Sequence, residues 1–181
     1  LNLFKETIEV FRRCAPLSNA LVDVAGQLGS RLAAGGRIFT AGSGGSYAQA
    51  EHFAAELVGR YKTEGRAPLP CICLGSNGAY MSAVSNDFGY GAVFGRELAA
   101  HDASEKDAVV IWTTSGRGEC LAHLANEAKS RGCLVVTFDG QKDVRKDWDS
   151  LHRICAPSPD TARIQEVHLV MMHEIVGLIE G

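Results

Sequence analysis

Residues 37–57 read RIFTAGSGGSYAQAEHFAAEL. The run at 37–41 is short and mostly apolar, and glycines flank it at Gly35, Gly36 and Gly42, so it reads as a buried strand. A glycine-rich loop follows, and a helix over about 46–60 begins directly after it. Four more apolar runs recur at 69–74, 107–112, 133–138 and 151–156, most of them separated by helical stretches at 79–84, 118–130 and 160–179. Short, continuously apolar strands alternating with helices specify an α/β fold, a parallel sheet covered by helices on both faces. Before this pattern, residues 3–32 repeat Leu3, Ile8, Phe11, Leu17, Leu21, Val24 and Leu28 at helical spacing, and Pro16 predicts a break or kink. Residues 139–150 are polar and charged, which predicts a loop or a short exposed helix.

The chain's 181 residues suit one domain, 1–181, with a helical N-terminal extension over about 1–34. A net charge of −3 without a long run of either sign argues against a dedicated nucleic-acid-binding face. No apolar stretch approaches the roughly 20 residues that cross a bilayer, so no membrane association is expected. There is no signal-peptide pattern. The six cysteines form no C-x-x-C pair, and several fall in or beside the strand-like runs, where thiols pack as small hydrophobes. A reducing compartment, the cytoplasm, is the expected location.

In an open parallel sheet, ligands bind beyond the carboxyl ends of the strands. Two loops stand there. Gly42-Ser43-Gly44-Gly45-Ser46 follows the first strand, and its glycines let backbone N–H groups at a helix start approach an anion. Ser46 can cap that helix or bond a phosphate, although a plain tight turn would use the same residues. The loop lacks the Lys-Ser/Thr ending of a P-loop, fits G-x-G-x-x-G poorly and has no acidic ribose binder after it, so no nucleotide cofactor is expected. After the third strand comes Thr113-Thr114-Ser115-Gly116-Arg117-Gly118, a second hydroxyl-rich cradle with Arg117 as a counter-charge. Two such loops point to one phosphate-bearing ligand.

His52 and Glu56 share a helix face at i and i+4. On the last helix Gln165 and His173 lie eight residues apart, roughly 80° around the axis, and can address one site. A carboxylate and an imidazole beside a bound sugar can move a proton between adjacent carbons. The same residue types can instead hold a divalent metal, although Gln is an infrequent zinc ligand. Each also has a structural reading: a helix-face hydrogen bond for His52–Glu56, a satisfied core histidine for His173, a surface amide for Gln165.

These residues lie in a chain that resembles the SIS (sugar isomerase) family, and within it the phosphoheptose isomerases of bacterial heptose biosynthesis. The resemblance is carried by G-S-G-G-S at 42–46, E-H-F-A-A-E-L-V-G-R-Y at 51–61, N-D-F-G at 86–89, T-T-S-G at 113–116 and D-T-A-R-I-Q-E-V-H at 160–168. It implies a flavodoxin-like three-layer sandwich with a five-stranded parallel sheet, here a single SIS domain. It further implies a homotetramer with active sites between subunits, zinc, and conversion of sedoheptulose 7-phosphate to D-glycero-D-manno-heptose 7-phosphate. By the same resemblance Ser43, Gly44, Gly45 and Ser46 approach the substrate, Thr113, Thr114 and Ser115 hold its phosphate, and Asn86 and Asp87 contact the sugar chain. Glu56 and His173 match the catalytic pair, Glu56 and Gln165 also substrate-binding positions, and His52, Glu56, Gln165 and His173 the metal site.

Two points modify this picture. The family's phosphate loop typically reads S-T-S-G-N-S, whereas Arg117 and Gly118 stand in the last two places here, so one phosphate-binding hydroxyl is expected to be lost. Non-catalytic relatives that bind the bacterial replication initiator share the glycine loop and the R-I-Q-E motif, and such an adaptor is the alternative. They typically lack the residues matching Glu56 and His173, which this chain has. A sugar-phosphate-sensing regulatory domain is a weaker reading, because no DNA-binding motif accompanies it. The amphipathic first helix and the apolar last one (Val167, Leu169, Val170, Met171, Ile175, Val176, Leu178) offer more nonpolar face than one small sheet covers, which predicts symmetric helix packing between copies.

Overall fold

Each of the five apolar runs forms a strand, and all five lie parallel in one sheet. The computed structural model describes residues 4–141, 148, 150 and 152–181. Its strands are β1 (Ile38–Ala41), β2 (Cys71–Cys73), β3 (Ala108–Trp112), β4 (Leu134–Gly140) and β5 (His152–Ala156), in the spatial order β2-β1-β3-β4-β5. Every pairing between neighbours is parallel. This is the flavodoxin-like order, whose direction of winding reverses between β1 and β3. The loops after those two strands, the ones singled out in the sequence, therefore open into the same crevice.

Seven helices complete the described chain: α1 (Lys5–Arg12), α2 (Ser18–Ala33), α3 (Gly45–Val58), α4 (Gly78–Phe88), α5 (Val93–Ala100), α6 (Glu119–Ser130) and α7 (Thr161–Glu180). Pro16 does break the opening segment, and a 3-10 turn at Ala15–Leu17 separates α1 from α2. The helix expected at 79–84 runs longer, started by Asn77, whose side chain accepts the Tyr80 N–H. Helix α5 was not expected. Its Gly95 would ordinarily weaken a helix, but α5 packs against α6, where a Cβ at residue 95 would just touch the His123 carbonyl at 3.4 Å. The stretch expected to be loop or exposed helix at 139–150 begins differently, because Asp139 and Gly140 belong to β4. Residues 142–147 and 149 of that stretch, and residue 151 after it, lie outside the described residues.

Alternate strand residues feed two cores. Ile38, Val110, Trp112, Val136 and Phe138 face α2, α3 and α7, while Phe39, Ala41, Val109, Ile111 and Val135 face α5 and α6, with Val84 of α4. All six cysteines are free thiols. No helix among the described residues is long and apolar enough to cross a membrane.

The first core contains one polar side chain with consequences for stability. His168 of α7 is fully buried against Trp112 and Phe138, and its Nε2 lies 3.0 Å from the Asp139 carbonyl. A carbonyl only accepts, so the neutral ring carries its proton on Nε2, and Nδ1 finds no partner among the described residues. Burial pushes the imidazole pKa down from 6.5 to about 4. The unfolded chain thus binds the extra proton across that window, so unfolding becomes easier as pH falls through it. Urea unfolding should show this group's contribution falling by roughly 2 kcal/mol between about pH 7 and about pH 5. His168→Gln should flatten that slope, and an unchanged slope would refute the assignment.

Candidate active site

The crevice is built where α3 leaves β1. A Cβ at Gly42 would lie 2.4 Å from the Ser46 carbonyl, so the chain can turn this tightly only with glycine. Gly44, at φ +58°, is the residue that caps α3, with no side-chain hydrogen bond. This corrects the capping role open to Ser46, which instead lies within the first turn and is buried. Ser43, Gly44 and Gly45 are exposed at the mouth. The Gln165 amide lies directly over Gly45, where an added Cβ would meet its Nε2 at 2.6 Å. Gln49 of α3 donates to the Gln165 carbonyl at 2.5 Å.

In the second loop two of the hydroxyl oxygens also accept backbone N–H groups. Thr113 is buried, and its Oγ1 accepts the N–H groups of Ser115 at 3.4 Å and Gly116 at 3.2 Å. Ser115 Oγ accepts the Arg117 N–H at 3.3 Å. Both hydroxyls therefore shape the loop, while Thr114 and Ser115 are half-buried at its surface and Arg117 is exposed. Gly140, at the end of β4, passes beneath: a Cβ there would lie 2.9 Å from the Thr114 carbonyl and 2.1 Å from Ile164 of α7. Tyr90, which the sequence did not single out, stands beside the glycine loop, with its phenol and the Cys120 thiol interacting with Ser43. Burial, above all, raises the pKa of both groups. Only its position three residues after Asp87 in the N-D-F-G stretch could have drawn attention to it.

Further along the paired helices, His52, Glu56 and His173 come together. His52 Nε2 is 3.0 Å from Glu56 Oε1, and the His52 and His173 rings meet edge-on at 5.2 Å between centroids. One ligand atom from each of the three lies within 4.8 Å of the others. All three side chains are half-buried, open enough to meet a solute. Two imidazoles and a carboxylate converging with one side open fit the donor set of a catalytic zinc site. The Gln165 amide does not join them in this structure: it sits at Gly45, two turns and roughly 10 Å along α3 from His52. Asn86 and Asp87 lie apart from the trio on the exposed last turn of α4, where Asn86 Nδ2 donates to Asp87 Oδ1 at 2.8 Å.

Two glycine- and hydroxyl-rich loops at the switch point, on a fold that also carries a His-Glu-His trio, define an α/β protein equipped for chemistry on an anionic ligand. The SIS domain family model matches residues 4–140, which include both loops, His52 and Glu56. A phosphoheptose isomerase from Geobacter metallireducens is 38% identical over 99% of this chain and 93% of its own length. One from Aquifex aeolicus is 35% identical over 98% and 93%. In three dimensions, a phosphoheptose isomerase from Francisella tularensis superposes with a TM-score of 0.85 at 28% identity, covering 98% of this chain and 94% of that one. The chain belongs to the SIS domain family, and within it to the phosphoheptose isomerases.

The structure also explains the unusual end of the second loop. Gly116 has φ +66° and Gly118, which caps α6, has φ +134°. L side chains rarely adopt that second conformation, so glycine is required there by the backbone and is more than the loss of a hydroxyl. Gly118→Ser should therefore destabilise the protein by about 1–3 kcal/mol in denaturant titrations. Gly118→Ala should cost about the same. A stabilising or neutral serine would show that the loop readily takes the family's usual form.

Proposed function

We propose that this chain is an aldose–ketose isomerase acting on a phosphorylated seven-carbon sugar, converting sedoheptulose 7-phosphate to D-glycero-D-manno-heptose 7-phosphate. The supporting observation is the meeting of Glu56 with His173, residues from distant parts of the chain, along the same helix pair that carries the glycine loop. It is reinforced by the relatives' names and by their coverage of α7. Such a product would feed bacterial heptose biosynthesis for lipopolysaccharide or another surface polysaccharide, in the cytoplasm.

The phosphate is held at the starts of α3 and α6, where the helix dipoles, the backbone of the glycine loop at 43–45 and the hydroxyl groups of Thr113, Thr114 and Ser115, free to donate their protons, favour an anion. Anchoring that end places the carbonyl end of the substrate toward Glu56 and His173. Glu56 removes the proton from the carbon next to the carbonyl, giving an enediol, and His173 serves the neighbouring oxygen. The proton then returns to the adjacent carbon. His52, bonded to Glu56, orients that carboxylate. Zinc is the metal proposed at His52, Glu56 and His173, with Gln165 a fourth candidate ligand only if its amide swings away from Gly45, and when bound it would polarise the carbonyl. The adaptor alternative is not favoured, since the pair its members typically lack is present and assembled here.

Incubation with sedoheptulose 7-phosphate should yield the aldose by chromatography and mass spectrometry. Glu56→Gln should lower kcat by about a hundredfold or more. Full activity in that variant would remove Glu56 as the base.

The proposed assembly is a homotetramer with sites between subunits. Phe11, Val22, Val167, Val170 and Leu178 line an apolar groove between the N-terminal helices and α7, with Val22, Val170 and Leu178 roughly half exposed. Phe88, 57% exposed, lies next to Asp87, so a subunit covering this face would carry Asn86 and Asp87 into a shared site. Light scattering at micromolar concentration should give four times the chain mass. Val170→Glu should shift the protein toward smaller species, and a wild-type monomer would contradict the assembly.

A further inference from the structure

The helices that carry the trio are tied together near their carboxyl ends by an ion pair that the proposed chemistry does not use. Glu180 is the last residue of α7, and Arg66 lies in the loop after α3; their side chains are only 2% and 9% exposed. Arg66 Nε donates to Glu180 Oε1 at 2.7 Å. The same carboxylate accepts the backbone N–H groups of Tyr61 at 2.8 Å and of Lys62 and Thr63 at 2.9 Å each. The remaining guanidinium nitrogens donate to the carbonyls of Glu56 at 2.8 Å, Leu57 at 2.9 Å, Gly59 at 3.3 Å and Ala67 at 2.7 Å. One cation thus grips the end of α3 at the backbone of Glu56 itself, and one anion grips the chain immediately beyond it.

Tyr61 is what this clamp delivers. Its ring lies flat on the His173 imidazole, with centroids 5.2 Å apart and planes 9° from parallel. It also reaches over Gly177, one turn further along α7, where an added Cβ would touch it at 3.6 Å. His52 meets His173 edge-on, so His173 is held between two rings. The final torsion of a histidine is broad, and packing has to choose the plane of the ring.

We propose that Tyr61, fixed by the Glu180–Arg66 pair, is a positioning residue that sets the ring plane of His173 toward His52 and Glu56. This rests on the reading of His173 as a partner of Glu56. Outer groups that orient a ligating or catalytic histidine typically matter by ten- to a hundredfold in metal affinity or activity.

Tyr61→Leu removes the flat partner from a half-exposed position and is expected to fold. It should lower kcat about tenfold with little change in KM, and weaken zinc binding about tenfold in calorimetric titration. Tyr61→Phe, which keeps the ring, should restore both. In the metal-free protein, the His173 Hε1 resonance, identified by its loss in His173→Asn, should move downfield when the shielding ring goes in Tyr61→Leu. It should also move downfield in Glu180→Gln, whose loop is released. The double variant should be no more impaired in kcat than the worse single one. A resonance that stays in place in both single variants, or losses that simply add in the double, would overturn the proposal. An inactive wild type would instead count against the proposed reaction, and the ring resonance alone would decide this point.

Discussion

Helices α3 and α7 run side by side in the same direction, and the site depends on that constraint. Each follows a parallel strand and returns over the same face of the sheet, so their amino ends lie together above the strand ends. Phe53 and Leu57 of α3 share one core with Ile164, Val167, Met171 and Met172 of α7. Burial of these side chains, at about 1.5–3 kcal/mol each, is what presses the helices together. The polar contacts then follow as a ladder in register: Gly45 and Gln49 against Gln165, His52 against His173, and the loop after α3 against Glu180. A rotation of either helix by one residue would misalign every rung.

The proposed anion seat draws on a different resource. Within the second loop the N–H groups of Ser115, Gly116 and Arg117 are donated to the Thr113 and Ser115 hydroxyl oxygens, which keep their own O–H groups as donors. The proposed charge complementarity then combines the helix dipoles with hydroxyl donors whose oxygens are held in place before any ligand arrives. Beneath this seat β4, the second loop and α7 approach so closely at Gly140 and Ile164 that there is no space for a side chain at residue 140.

Much of this was legible in the sequence because it depends on local pattern. The five strands, the Pro16 break and the two loops declare themselves by apolar runs, proline chemistry and glycine spacing. His52 and Glu56 pair because helical geometry makes i and i+4 neighbours. What stayed hidden depends on contacts across the fold. Gly95 looks like a helix breaker, yet α5 forms where it packs on α6, and the hydroxyl run does not reveal that Thr113 also accepts two N–H groups of its own loop. Tyr61, Arg66 and Glu180 have no local signature, because an ion pair spanning 114 residues of chain is a property of the assembled helices. A helical-wheel angle relating Gln165 to His173 carries no information on the rise along α7, and the Gln165 amide lies at the glycine loop.

Glu180 shows how strongly the structure supports that last rung. A carboxylate in the final turn of a helix faces the negative end of the helix dipole, an unfavourable place for it. Burial likewise works to raise its pKa, yet three backbone N–H groups and Arg66 together hold it down at about 2. The carboxylate is therefore charged at any pH where the fold is expected to work. Arg66 gains from the opposite geometry, because its guanidinium meets the carbonyls that α3 leaves unpaired at its carboxyl end. One helix end accepts an electrostatic penalty, the other receives a cation it favours, and the loop between them is fixed where Tyr61 must lie.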